Sequence, residues 1–182
     1  LGSKGAKLGS ELQQQQQLTN KALRHFNQQA DSFLADHSEP ELTQPLNQIR
    51  GTLRELESMR GQIRSLSASG AVGIGYYTNL NGRFLSYLAL IAKLSTSAEV
   101  TEKASAYLYL MQAKEYAGIE RAVMTNTFAN DAYGNGIKQK FITLLANQQT
   151  YFKLFNRFAN AEQQSLFTGT LRGKAVDAID SL

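Results

Sequence analysis

Apolar residues recur at helical spacing along almost the whole chain. The clearest run is Leu46, Ile49, Leu53, Leu56, Met59 and Ile63, at intervals of 3, 4, 3, 3 and 4. That is the seam of a helix laid against other helices, and it predicts a second helix from about Pro40 to Leu66. Before it, Leu8, Leu12, Leu18, Ala22, Leu23 and Phe26 form a stripe that predicts a first helix over about Ala6 to Ala35. The Gln13 to Gln17 run inside this helix reads as its solvated face. A third helix, near Gly73 to Leu94, is dense with Tyr76, Tyr77, Leu80, Phe84, Tyr87, Leu88 and Ile91. Ser97 is placed to cap a fourth, which continues to about Phe128. The fifth, about Gly136 to Phe158, carries Phe141, Leu144, Leu145, Phe152 and Phe155. A sixth begins near Asn160 and reaches Leu182 without a Gly or Pro stop, so it is expected to continue.

The breaks fall at Pro40 and Pro45, at Ser67 to Ala71, at Ser95 to Ser97 and at Asn130 to Gly136. Between them Ala, Leu, Gln, Glu and Lys dominate, all good helix formers. No sustained period-two alternation marks a strand. The fold class expected is all-α, with long antiparallel helices forming one or two up-down four-helix-type bundles. The 182 residues suit one domain, residues 1–182, either a single bundle or two stacked ones divided near residues 67–72.

Composition narrows the chemistry. Apolar residues make up 42% of the chain, enough for a core and against full disorder. The absence of Cys excludes a disulfide framework and thiolate metal sites. No stretch approaches the roughly 18 unbroken apolar residues of a membrane span. The opening residues lack Met and a signal-peptide pattern, so the chain is expected to be an excised piece of a longer protein. The net charge of +4 is mild, and the densest basic stretch, Arg50, Arg54, Arg60 and Arg64, is interrupted by Glu55 and Glu57 with no interleaved aromatic residue. Nucleic-acid binding is not expected from that arrangement.

Catalysis finds no support. His25 and His37 are 12 residues apart, the wrong spacing for a helical metal pair. The glycine-rich Gly70 to Gly75 follows a helix rather than a strand, which removes it as a phosphate loop. No catalytic residue, metal or cofactor is expected.

The fourth helix holds the anomaly. Its apolar seam runs through Ala104, Leu108 and Met111 and resumes at Ala122, with Glu115 and Gly118 at the positions between. A carboxylate in that register must be paired or hydrogen-bonded. Arg121 has Ala117, Gly118, Met124 and Thr125 as its helical neighbours, so no carboxylate is available for the usual intrahelical pair. A planar anion such as nitrate or a carboxylate suits the arginine fork. The plainer alternative is that Arg121 pairs with an acid from another helix or lies along the surface. Tyr76, Tyr77, Asn79 and Asn81 on the third helix either line a polar pocket or pack in the core.

The segment Ala113-Lys114-Glu115-Tyr116-Ala117-Gly118-Ile119-Glu120-Arg121-Ala122 resembles a signature of the NIT, nitrate- and nitrite-sensing, domain family. Tyr76 to Asn81 resembles the family's preceding helix. Phe128 to Asn130, Phe141, Leu144, Gln148-Gln149 and Phe155 to Ala159 match its later segments in order, so the likeness covers nearly the whole chain. The resemblance implies a helical sensor for nitrate or nitrite, usually a homodimer, such as the extracytoplasmic, periplasmic region of a bacterial chemotaxis receptor attached to membrane spans. Cytosolic antiterminators carry such domains too. One of the family's two anion-binding arginines maps onto Arg121, and the other belongs to a Glu-Arg-Gly segment a few residues before Leu1. The ligand-binding set expected is therefore Arg121, Glu115, Gly118, Tyr76, Tyr77 and Asn79. Binding is expected to draw the fourth helix toward the first by about 1–2 Å. The competing expectation is a structural or dimerising bundle that binds a protein partner and no small ligand. A sensor calls for a buried Arg121 without a carboxylate partner; a stalk would leave it exposed or ion-paired.

Overall fold

The computed structural model describes residues 9–130 and 134–171. It contains α1 (Gly9–Asp36), α2 (Pro40–Arg54), α3 (Leu56–Arg64), α4 (Gly70–Leu94), α5 (Ala98–Asn130), α6 (Ile137–Phe158) and α7 (Ala161–Thr170). The all-α, up-down architecture expected from the periodicity is what forms. The first eight residues, residues 131–133 and the expected continuation of the last helix through residues 172–182 lie outside the described part.

Cross-helix bonds give the directions. Asp31 meets Arg50 at 2.7 Å and Asn20 meets Arg60 at 2.6 Å, so α1 runs antiparallel to α2 and α3. Asn81 bonds Glu115 while Thr101 bonds the Ala92 carbonyl, which makes α4 and α5 a second antiparallel pair. Tyr116 stacks on Tyr151 and Tyr109 lies against Phe158, so α6 returns along α5. The principal contacts link α1 to α2, α2 and α3 to α4, α4 to α5 and α5 to α6. α4 is the element through which the α2–α3 side and the α5–α6 side principally meet. The fourth predicted helix, α5, packs principally on α4 and α6.

Local chemistry explains the boundaries. The Ser69 hydroxyl accepts from Val72 N–H and starts α4 at Gly70, three residues earlier than the pattern suggested. The expected break at residues 67–72 corresponds to the turn between α3 and α4. Ser97 Oγ accepts from Val100 N–H, so the predicted cap of α5 is present. α7 begins with a full capping box, in which Asn160 and Gln163 satisfy each other's backbone N–H. Ala159 between α6 and α7 is extended, so the two are separate helices.

The predicted second helix is divided at Glu55 into α2 and α3. The cause lies 24 residues away. The Tyr76 hydroxyl donates to the Thr52 carbonyl at 2.9 Å, and Glu55 N–H turns to that same carbonyl in a tight i to i−3 bond at 3.2 Å. A side-chain donor inserted into the ladder is a recognised source of such interruptions. α3 then ends with Leu66 in the left-handed region, φ 58°, where Ser67 N–H bonds Gln62 O and Leu66 N–H bonds Ile63 O. That is a Schellman ending built on leucine instead of the usual glycine.

The interior is assembled from the predicted seams. Leu46, Ile49 and Leu56 are buried on α2 and α3, and Leu144 and Phe155 on α6. Ala106 and Ala113, seven residues apart on one face of α5, are completely buried. Their small size lets helices approach closely. Phe155 packs with Ala106 and Ala159 and meets Phe167 of α7 edge-on, with ring centroids 4.9 Å apart. Deleting such a ring typically costs about 3–5 kcal/mol.

Candidate functional site

An open groove of about 700 Å³ runs between α4 and α5. Leu85, Leu88 and Met111 give it an apolar wall; Lys114, Glu115, Gly118 and Arg121 line its polar side. The α5 residues share one face because they recur at helical intervals. Gly118 contributes no side chain, and a Cβ built there meets nothing within 4 Å. The groove is therefore unobstructed at Gly118.

Glu115, half-buried, accepts from Asn81 Nδ2 at 2.8 Å. The carboxylate that interrupted the apolar seam is thus satisfied, as its position required, but by a neutral amide. Glu120 is held the same way, by Gln148 Nε2 of α6. Both acids nearest Arg121 in sequence are occupied by amides, and Arg121 makes no ion pair among the described residues. It stands exposed at the groove's edge. This differs from the burial expected of a sensor arginine. The groove lies open to solvent, so a long side chain at its margin keeps its charged end hydrated.

The structure brings Arg121, Glu115 and Gly118 together and places Tyr76, Tyr77 and Asn79 elsewhere. Tyr76 bonds α2 through Thr52, and its burial pushes the phenol above its usual range. Tyr77 lines a different groove, among α1, α3 and α4. Asn79 accepts from Arg83 Nε at 3.0 Å, and Arg83 in turn donates to Gln48 of α2. Near neighbours in sequence point to different sides of a helix, which accounts for the dispersal. The α4 residues that do reach the groove are Asn81, Phe84, Leu85, Tyr87, Leu88 and Ile91. Tyr87 is also raised by burial.

Arg60 was not singled out by the pattern. It is 5% exposed, among the few buried charged or polar residues described. Its Nη1 donates to Asn20 Oδ1 at 2.6 Å and to Glu57 at 3.3 Å. Its sequence signals were its place in a basic stretch and its register on the apolar seam, four residues after Leu56 and three before Ile63. His37 has a local role, stacked on Phe33 at 4.2 Å with Nδ1 against the Phe33 carbonyl. Among the described residues no group of three potential metal ligands forms, and no helix is long and apolar enough to cross a membrane.

No solved structure matches the chain. Over 115 residues it is 24% identical to the nitrate regulatory protein of Klebsiella oxytoca, an alignment that takes in 63% of this chain. It covers 29% of that relative, so the chain spans less than a third of the other protein's length. The NIT family, described as nitrate and nitrite sensing, matches residues 1–182, and the chain belongs to that family.

Proposed function

We propose that residues 1–182 act as one nitrate- or nitrite-sensing input domain and that the anion sits in the α4–α5 groove against Arg121. The observation that carries this reading is a guanidinium without an ion pair among the described residues: Glu115 and Glu120 are both held by amides, so Arg121 has donors to offer an anion. Lys114, two turns away on the same face, adds positive charge, and Gly118 leaves the groove unobstructed at its position. A planar oxyanion presents two oxygens to the two parallel N–H donors of an arginine. Glu115 and Asn81 serve as the fixed polar wall. Tyr76, Tyr77 and Asn79 act through the α4 contacts with α2 and its neighbours rather than on the anion.

In this reading, bound anion shifts α5 against α4 by about 1–2 Å, the scale of helix movements in signalling proteins. The family resemblance supports placing the domain in a homodimeric, membrane-attached receptor of the chemotaxis type, with the sensor on the extracytoplasmic, periplasmic side. The relative named as a nitrate regulatory protein favours a regulatory output and is compatible with a cytoplasmic setting. The exposure of Arg121 favours a second reading, a structural bundle that engages a protein partner.

Thermal unfolding in nitrate, nitrite and chloride at matched ionic strength separates the two. The sensor predicts a concentration-dependent rise with nitrate or nitrite, by mass action on the folded state, and its loss in Arg121→Ala. Equal melting in all three salts, or a rise that persists in Arg121→Ala, overturns the proposed seat.

A further inference from the structure

A second, larger groove of about 940 Å³ lies among α1, α3 and α4 and adjoins the first at Asn81 and Phe84. Its walls are aliphatic and aromatic, with Leu23, Phe26, Leu56, Ile63, Leu80 and Phe84 prominent. The volume is that of a pocket for an organic molecule and far exceeds what a triatomic or tetratomic anion needs. Gln13, Gln15, Gln16 and Thr19 of α1 supply polar groups.

The charge in this groove is one-sided. Arg60 and Arg64 line it, and among the described residues no carboxylate does. Glu57 is the partner of both guanidinium groups, at 3.3 Å from Arg60 and 3.2 Å from Arg64. Two cations share one anion, which leaves one positive charge uncompensated. Burying a cation in apolar surroundings is costly unless it is fully paired. Arg60 is buried, yet both of its hydrogen bonds leave from Nη1. Its Nε and Nη2 make none among the described residues. No polar side-chain atom described is sealed from solvent without a partner, so these N–H groups keep contact with solvent, and Arg60 lines the groove. Nε and Nη2 form one edge of the guanidinium fork, the edge that takes a carboxylate through two parallel bonds.

A further observation concerns the rim. Leu66 lines the groove from a left-handed backbone conformation that leucine rarely adopts. Backbone strain of this kind concentrates at ligand clamps and switch regions.

From these features we infer that the α1–α3–α4 groove binds an amphipathic carboxylate, an organic acid whose apolar body lies along Phe26, Leu56, Leu80 and Phe84 while its head is held by Arg60. Such a ligand removes apolar surface from water and completes the arginine's pairing at once. Phosphate or nitrate alone satisfies only the second requirement. The site is distinct from the anion seat on α5, although Asn81 and Phe84 line both grooves.

Isothermal titration of the 182-residue chain with decanoate, and with decanol as an uncharged chain of equal length, tests this directly. Decanoate, kept below its micelle concentration, is expected to bind at least about tenfold more tightly than decanol, as a charge-assisted fork implies. Arg60→Gln should erase that preference. Because that change perturbs a buried residue, Ala22→Trp provides the second variant: Ala22 is exposed on α1 and lines the groove. The indole should fill the groove and abolish decanoate binding while the melting temperature is kept. Arg121→Ala should leave decanoate binding unchanged, whatever it does to nitrate. Absence of a decanoate heat, which is also the outcome if a protein segment fills the groove, overturns the inference. So does equal binding of decanol, or full decanoate affinity in Ala22→Trp.

Discussion

Asn81 of α4 donates to Glu115 of α5 at 2.8 Å, and this bond ties the floor of the α4–α5 groove to the helix that carries Arg121. A neutral amide is well chosen there. A cation would lock the carboxylate and add to the local positive charge, whereas an amide satisfies the oxygen and leaves the site's charge to Arg121 and Lys114. Replacing Asn81 by Asp sets two carboxylates face to face. The variant should lose about 0.5–1 kcal/mol at neutral pH, the scale of solvent-screened charge pairs. Close like charges raise the pKa of one member, so the deficit relative to the parent should shrink below about pH 5. Denaturant unfolding of both proteins at pH 7 and pH 4 checks the magnitude and the recovery.

Phe155 joins three helices. It is 1% exposed, packs on Ala106 of α5 and meets Phe167 of α7. Phe155→Ala should cost about 3–5 kcal/mol, the usual toll of a buried ring. Ala106→Leu should cost about 1–3 kcal/mol through overpacking, because that position is fully buried. Equilibrium unfolding measures both, and the double variant should depart from additivity because the sites touch.

Leu66 offers the opposite sign. With φ at 58° and 47% of its surface exposed, it carries the strain of the left-handed region with limited burial in return. Leu66→Gly should stabilise the chain by about 1 kcal/mol. A rise in the denaturant midpoint with an unchanged slope is the expected result.

Hydrogen bonds from Arg64 and then Arg60 hold the Glu57 carboxyl below its usual range. A carboxylate depressed in the folded state contributes stability above its unfolded pKa and loses it as pH falls through the folded value. Stability should therefore decline on acidification from about pH 5. Glu57→Gln should flatten that part of the curve. Carboxyl NMR titration of Glu57 should give a midpoint below that of an unpaired glutamate.

Much of this architecture was readable from spacing alone. The Ser97 cap, the start of α6 near Gly136 and the Leu46–Ile63 seam are local features, set by residues within a turn or two of each other. The division at Glu55 was not readable, because Tyr76 reaches Thr52 from another helix. The burial of Arg60 depends on Asn20, 40 residues away, and a basic residue on an apolar seam gives no sign of its partner. At the candidate site, the interrupted seam on α5 pointed to Glu115, Gly118 and Arg121. Tyr76, Tyr77 and Asn79 lie away from the α4–α5 groove, since proximity along a helix scatters side chains around it. Arg121 stands at the edge because its exposure depends on where α4 crosses α5, a matter of tertiary packing.

The joint between α6 and α7 determines what kind of motion can pass through it. A continuous helix transmits both rotation and translation along its axis. Here extended Ala159 interrupts the ladder, and Asn160 and Gln163 give α7 a start of its own. α7 is instead anchored sideways: Gln163 donates to the Lys103 carbonyl of α5, and Phe167 wedges against Phe152 and Phe155. α6 and α7 are therefore joined through their side contacts and not as one continuous helix. The position of α7 is thereby set by α5, the helix that carries Arg121.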